Sequence, residues 1–84
     1  MTAEGPVVRV TVRLYSVLRH REGRIVDRLA LDLPPGSRAG DVVRLLAIDP
    51  RLEPLLAVND ELATEATPLA DGDRLAIIPS VAGG

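Results

Sequence analysis

The chain has no cysteine, and all ten of its basic residues are arginine. Without Cys there is no disulfide framework and no thiol chemistry. Its single histidine, His20, cannot assemble a zinc site alone. No apolar run is long enough to span a bilayer. The opening residues, Met1-Thr2-Ala3-Glu4-Gly5-Pro6, lack the basic start and apolar stretch of a secretion signal. A soluble cytoplasmic protein, with no membrane partner, is the expectation. Ten Arg against twelve acidic residues give a net charge of −2, which is no electrostatic footprint for nucleic acid. The missing Lys has two explanations. The plentiful Ala, Arg, Gly, Pro and Asp suit GC-rich coding. A chain carrying an activated acyl group would also benefit, because lysine amines are acylated and arginine, always protonated, is a poor nucleophile. There are no repeats, no low-complexity segment and no linker.

At 84 residues the chain has room for one domain, residues 1–84, and one small core. The 46% apolar content suits a folded chain and is too high for a disordered one. Residues 7–15 alternate, with Val8, Val10, Val12 and Leu14 on one face and Arg9, Thr11 and Arg13 on the other, as in a half-buried strand. Residues 25–33 alternate again, with Leu29, Leu31 and Leu33 facing in, so the two segments predict an antiparallel hairpin. The connection from Ser16 to Arg24 is longer than a tight turn, and its shape is left open.

Pro34-Pro35-Gly36 ends the hairpin. Ala39, Val42, Val43 and Leu46 then fall at helical spacing, with Leu45 undecided, and Asp41 suits the first turn of a helix. Ser37 is a candidate cap, although no Glu or Gln stands three residues on. Asp49-Pro50 closes the helix. Residues 55–59 predict a strand, Asn59-Asp60-Glu61 a turn, and Leu62-Ala63 a short edge strand. Asp71-Gly72-Asp73 is a turn signal, followed by a last strand from Arg74 to about Ile78. One helix on one face of a mixed sheet makes an α+β domain. The expected core is Val10, Val12, Leu29, Leu31, Val43, Leu46 and Ile77.

The chain closes on Pro79-Ser80-Val81-Ala82-Gly83-Gly84. Two readings apply to this segment, which is expected to be a flexible tail over 79–84. One is a frayed terminus that happens to end in glycine. The other is a chemical handle: a side-chain-free arm can thread a narrow channel, and its carboxylate becomes an acyl donor once adenylated. Ile78, on the face opposite Leu75 and Ile77, is an apolar residue beside the tail and suggests a docking patch. Cover by the domain's own loops is the alternative. His20 reads as a solvated turn residue, Asp71 and Asp73 as turn formers, and Arg9, Arg13 and Arg28 as a solvated sheet face.

Three segments together resemble the MoaD/ThiS sulfur-carrier family. They are Ala57-Val58-Asn59-Asp60-Glu61, Thr67-Pro68-Leu69-Ala70-Asp71-Gly72-Asp73, and Ile77 through Gly84. Val12 to Arg19 is similar to the opening of MoaD-type chains, which usually place Phe where Tyr15 stands. Many of those chains also carry a second proline at the Ser80 position. The resemblance implies a ubiquitin-like β-grasp fold, with a mixed sheet of four to five strands packed on one helix. It implies that an E1-like enzyme uses ATP to adenylate Gly84, and that a sulfur donor converts the adenylate to a thiocarboxylate. No cofactor is bound by the carrier itself, which has no complete active site. Gly83, Ala82, Val81, Ile78 and Tyr15 are the expected partner contacts. The acceptor is the molybdopterin synthase large subunit or another sulfur-accepting enzyme, with the chain closest to MoaD, the small subunit of that synthase. Alternatives are a carrier for thiamin, cysteine or tRNA thiolation, a ubiquitin-like protein modifier, or a β-grasp interaction domain with an inert glycine ending.

Overall fold

The computed structural model describes residues 6–80. Strands β1 (Val8–Leu14), β2 (His20–Arg21), β3 (Arg24–Ile25) and β4 (Arg28–Leu33) come first. Helix α1 (Ala39–Leu45) follows, then β5 (Pro54–Val58), β6 (Glu61–Ala63) and β7 (Arg74–Pro79). Five strands form one mixed sheet in the order β4-β1-β7-β5-β6. Only the central pair, β1 and β7, is parallel; the other pairings are antiparallel. The helix covers one face of the sheet. This is the α+β, ubiquitin-like β-grasp architecture expected from the sequence.

The alternation of β1 places Val10, Val12 and Leu14 wholly inside, where they meet Leu75 and Ile77 of β7, Leu56 of β5 and Val42 and Val43 of the helix. Leu46 is buried as expected; Leu29 and Leu31, on the edge strand β4, are only half-buried. Leu45, undecided in the sequence, points to solvent and is 62% exposed.

Three expectations need correction. The second long strand starts at Arg28, not at residue 25. Arg24 and Ile25 pair instead with Arg21 and His20 in a separate small hairpin. That hairpin reaches the helix: Arg21 Nη1 donates to the Leu46 carbonyl at 3.1 Å, a cation at the negative helix end.

The second correction is the helix start. Ser37 does not cap it; its Oγ donates to the Pro34 carbonyl at 2.7 Å and closes the Pro-Pro-Gly turn. Arg38 stands at the cap, and its N–H donates to Asp41 Oδ2 at 2.8 Å. That bond, and then the Arg44 guanidinium, hold the Asp41 carboxyl below the usual carboxylate range. The N–H groups of Ala39 and Gly40 donate to the carbonyls of Thr67 and Glu65, each at 2.9 Å. A loop backbone thus satisfies the orphan helix donors that a side chain would otherwise meet.

The third is the helix stop. The helix ends at Leu45, well before Asp49-Pro50. Ala47 takes a left-handed φ of 55°. Its N–H donates to Arg44 O, and that of Ile48 to Val43 O, both at 3.1 Å. This is a Schellman closure with Ala where Gly is usual. Ile48 is buried beside it. Asp49 caps a separate short 3-10 turn, Pro50–Leu52.

Two predictions follow from the helix ends. A Cβ at Gly40 would stand 2.8 Å from Glu65 Cβ and 3.1 Å from its carbonyl oxygen. Gly40→Ala should therefore lower stability by about 1–3 kcal/mol through overpacking, despite the roughly 1 kcal/mol that Ala gains in helix propensity. Ala47→Gly should act in the opposite sense. It relieves the left-handed backbone and stabilises by about 1 kcal/mol, after the added freedom of the unfolded chain is subtracted. Denaturant midpoints of the two variants against the parent protein check both signs.

Candidate functional site

The face of the sheet away from the helix has nothing packed on it among the described residues. Its composition follows from strand register. Across the middle of the sheet, Leu62 pairs with Ala57, Ala57 with Ala76, Ala76 with Arg13, and Arg13 with Arg28. One row therefore runs from an apolar side chain, over two small alanines, to two arginines. One step along the strands, Leu55 pairs with Ile78. Leu14 pairs with Ile77 and Tyr15 remains extended, so Tyr15 and Ile78 follow side by side where the central strands end.

Two of the sequence-based docking candidates, Tyr15 and Ile78, are thus brought together. Tyr15 is 38% exposed, and Ile78 is half-buried between β5 and the end of β1. Two larger contributors were missed: Leu55, 49% exposed, and Leu62, 83% exposed. Their signal was present as apolar residues in short strands, but which face they take depends on pairing with β7. Tyr15 also carries a cation, with the Arg13 guanidinium carbon 5.5 Å from its ring centroid. Thr11, Arg13, Tyr15, Arg28, Asp60 and Arg74 surround a shallow depression of about 440 Å³ beside the apolar strip.

The chain leaves the described residues next to this strip. The sequence begins the tail at Pro79, but Pro79 is the last residue of β7 and pairs with Pro54. Ser80 is held too: its N–H donates to the Leu52 carbonyl at 3.1 Å, and its hydroxyl donates to the Glu53 carbonyl. Glu53 turns back with a left-handed φ of 47° to present that carbonyl. The anchored part of the chain therefore extends through residue 80. Val81, Ala82, Gly83 and Gly84 lie outside the described residues.

The remaining sequence candidates have structural roles. Asp71 Oδ1 accepts the Arg9 N–H at 2.8 Å, and Asp73 accepts from Ala70 N at 2.8 Å and from Asn59 Nδ2 at 2.9 Å. Gly72 between them has a φ of 90°, a conformation that suits glycine. His20 is exposed in the small hairpin. Among the described residues no group of three His, Cys, Asp or Glu side chains could hold a metal ion, and no helix is long and apolar enough to cross a membrane.

Comparison with known proteins gives this surface a context. The ThiS family model matches residues 12–84. The curated molybdopterin synthase sulfur carrier subunit of Drosophila yakuba is 36% identical over 92 residues, with all of both chains covered; that of Drosophila erecta is 34% identical over the same span. Among solved structures, the small archaeal modifier protein 1 of H. volcanii superposes with a TM-score of 0.70 at 23% identity, covering 88% of this chain and 99% of that one. A complex of subunits 1 and 2 of the molybdopterin-converting factor from Helicobacter pylori 26695 contains a chain with TM-score 0.58 and 23% identity, covering 92% and 100%. These structural likenesses carry the fold. The family model and the full-length relatives carry the ancestry, and the chain belongs to the ThiS family.

Proposed function

We propose that the protein is a sulfur carrier that serves as the small subunit of molybdopterin synthase in molybdenum cofactor biosynthesis. The observation that carries this reading is the likeness, over its whole length, to molybdopterin synthase sulfur carrier subunits. The Helicobacter pylori complex of subunits 1 and 2 supports a large-subunit partner for a chain of this fold.

In this reading the reacting group is the carboxylate of Gly84. A separate E1-like enzyme supplies ATP. A carboxylate oxygen attacks the α-phosphorus, and pyrophosphate leaves, which gives an acyl adenylate. A sulfide-level donor then attacks the acyl carbon; the C–S bond forms, the C–O bond to AMP breaks, and a thiocarboxylate remains. The folded domain contributes position. Anchoring of Ser80 leaves Val81–Gly84 as the reaching segment, which spans at most about 14 Å. Gly83 and Gly84 add no side chains to obstruct a narrow channel. Tyr15, Leu55, Leu62 and Ile78 form the apolar strip that the partner covers, and Val81 and Ala82 are further partner contacts.

Deletion of Gly84, or addition of one residue after it, should abolish thiocarboxylate formation while stability changes by less than about 0.5 kcal/mol. Intact mass after co-expression with an E1-like adenylating enzyme reads the first, and thermal unfolding the second. A variant without Gly84 that still takes up sulfur would sink the assignment.

Ile78→Asp should weaken binding to the large subunit or the adenylating enzyme by about 2 kcal/mol or more, roughly 30-fold, because a carboxylate would be buried without a partner at an apolar contact. Calorimetry measures the affinity, with circular dichroism as the folding control. Full affinity in a folded Ile78→Asp protein would remove the strip from the docking surface.

A further inference from the structure

We propose that Arg13 and Arg28 form a receptor for a carboxylate side chain of the protein that docks on the outer face. The argument starts from two cross-strand pairs on the same two strands and the same face. At one end of the β1–β4 ladder, Arg9 stands opposite Asp32. Their side chains meet in a forked bond, Nε to Oδ1 at 2.7 Å and Nη2 to Oδ2 at 3.1 Å. At the other end Arg13 stands opposite Arg28. Opposite charges facing each other across an antiparallel pair stabilise it, and like charges destabilise it. The isolated fold would favour an acid at position 13 or 28, as it has one at position 32.

Neither guanidinium is neutralised locally. Among the described residues Arg9, Arg44, Arg51 and Arg74 are in salt bridges, and Arg13 and Arg28 are in none. Arg13 lies over the Tyr15 ring, which fixes its direction without cancelling its charge. The depression between them contains one acid, Asp60, and that acid is already paired with Arg74 at 3.2 Å. Two uncommitted guanidiniums therefore border one concavity in a chain whose net charge is −2.

Guanidinium forks match a carboxylate in shape and bind it through paired N–H donors. The occupant is a protein rather than a free anion because of what adjoins the corner. Arg13 and Arg28 end the same cross-sheet row that begins with Leu62, Ala57 and Ala76. A partner lying along that row meets apolar surface, then a flat alanine floor, then two cations. A small ion filling the corner would leave the apolar strip uncovered. The matching partner has an apolar anchor with an Asp or Glu beside it, and the arginines fix its direction across the sheet. Such a pairing acts on specificity and association rate as well as affinity.

The inference rests on the carrier reading for the identity of its partners, the E1-like adenylating enzyme and the molybdopterin synthase large subunit, and the test separates the two. Arg28→Glu and Arg28→Lys are compared with the parent protein. In the free protein at low salt, Arg28→Glu should raise the melting temperature, because it converts a like-charge pair into an opposite one. The same change should weaken binding to at least one partner by about 10-fold or more and flatten the fall in affinity between about 50 mM and 500 mM salt. Arg28→Lys should keep most of the affinity. Equal affinity and equal salt dependence for Arg28→Glu and the parent would overturn the inference. With normal sulfur loading of the parent, the carrier reading would then stand alone. If the parent binds neither enzyme and gains no thiocarboxylate, both ideas fail together. Millimolar sulfate offers a further check. If it raises the melting temperature of the parent but not of Arg28→Glu, while partner affinity is the same for both, the corner serves a free anion and the protein-carboxylate assignment is wrong.

Discussion

The parallel pairing of β1 with β7 is the constraint from which the rest of the molecule follows. These strands supply five of the six largest fully buried side chains, Val10, Val12 and Leu14 from one and Leu75 and Ile77 from the other, with Val42 of the helix as the sixth. They are the first and last strands among the described residues, so the core closes only when these two distant segments meet. Long-range pairing of this kind carries a large loop-closure cost, which the buried apolar surface must offset. The pairing also works on the other face. A register in which Thr11 meets Arg74 and Leu14 meets Ile77 is the register that sets Arg13 beside Ala76 and brings Tyr15 level with Ile78. A slip of one residue would exchange the faces of either strand. Core and outer apolar strip are thus two sides of one alignment, and neither can be altered alone.

What fixes that alignment is a polar clamp at the start of β7. The Asp71-Gly72-Asp73 turn bonds to Arg9 through both Asp71 Oδ1 and Gly72 N–H, and Thr11 N–H reaches the Asp73 carbonyl at 3.0 Å. The same Asp73 carboxylate holds Asn59 at the tip of the β5–β6 hairpin, and Asn59 Oδ1 accepts the Arg74 N–H at 3.0 Å. Residues 59 and 60 both have positive φ, the backbone of a two-residue hairpin loop. Three strands are thereby locked together by turn residues. Asp71 and Asp73, the turn formers of the sequence, are both occupied by this clamp.

The parts of the molecule legible in the sequence are those governed by local period. Alternation marks β1 and β7 and their inward residues, and helical spacing marks Val42, Val43 and Leu46 as inward. The failures lie at element ends, where backbone conformation and backbone hydrogen bonds decide rather than side-chain period. The helix start at Arg38 depends on carbonyls of the 65–67 loop, and Gly40 is required there by the close approach of Glu65. Neither is visible near residue 40. The helix stop depends on Ala47 adopting a backbone that its side chain disfavours, so no glycine marks it. The apolar strip of the outer face is half legible. Ile78 and Tyr15 follow from alternation in long strands. Leu55 and Leu62 lie in strands of five and three residues, and only cross-strand register assigns their face. The opposition of Arg13 and Arg28 likewise belongs to pairing rather than to either strand.

The electrostatics of the described residues bear on where the chemistry resides. Perturbed acids and bases often mark catalytic sites, although structural ion pairs perturb them too. Here the acids held below their usual range are Asp32, Asp41 and Asp49, each because of a neighbouring hydrogen-bond donor: the Arg9 guanidinium, the Arg38 N–H and the Arg51 guanidinium respectively. All three are on the surface and secure a ladder end, a helix start and a 3-10 turn. None lines the depression on the outer face or adjoins Ser80. The tuned groups among the described residues are structural, which is in keeping with the carrier role proposed above, in which the acid–base and phosphoryl chemistry belongs to the adenylating enzyme. That division matches a rigid sheet whose last strand is tied down at Pro79 and Ser80. The anchoring fixes residue 80 to the same frame as the apolar strip of the outer face. A partner seated on Tyr15, Leu55 and Ile78, as proposed above, would meet the start of the reaching segment at a fixed distance.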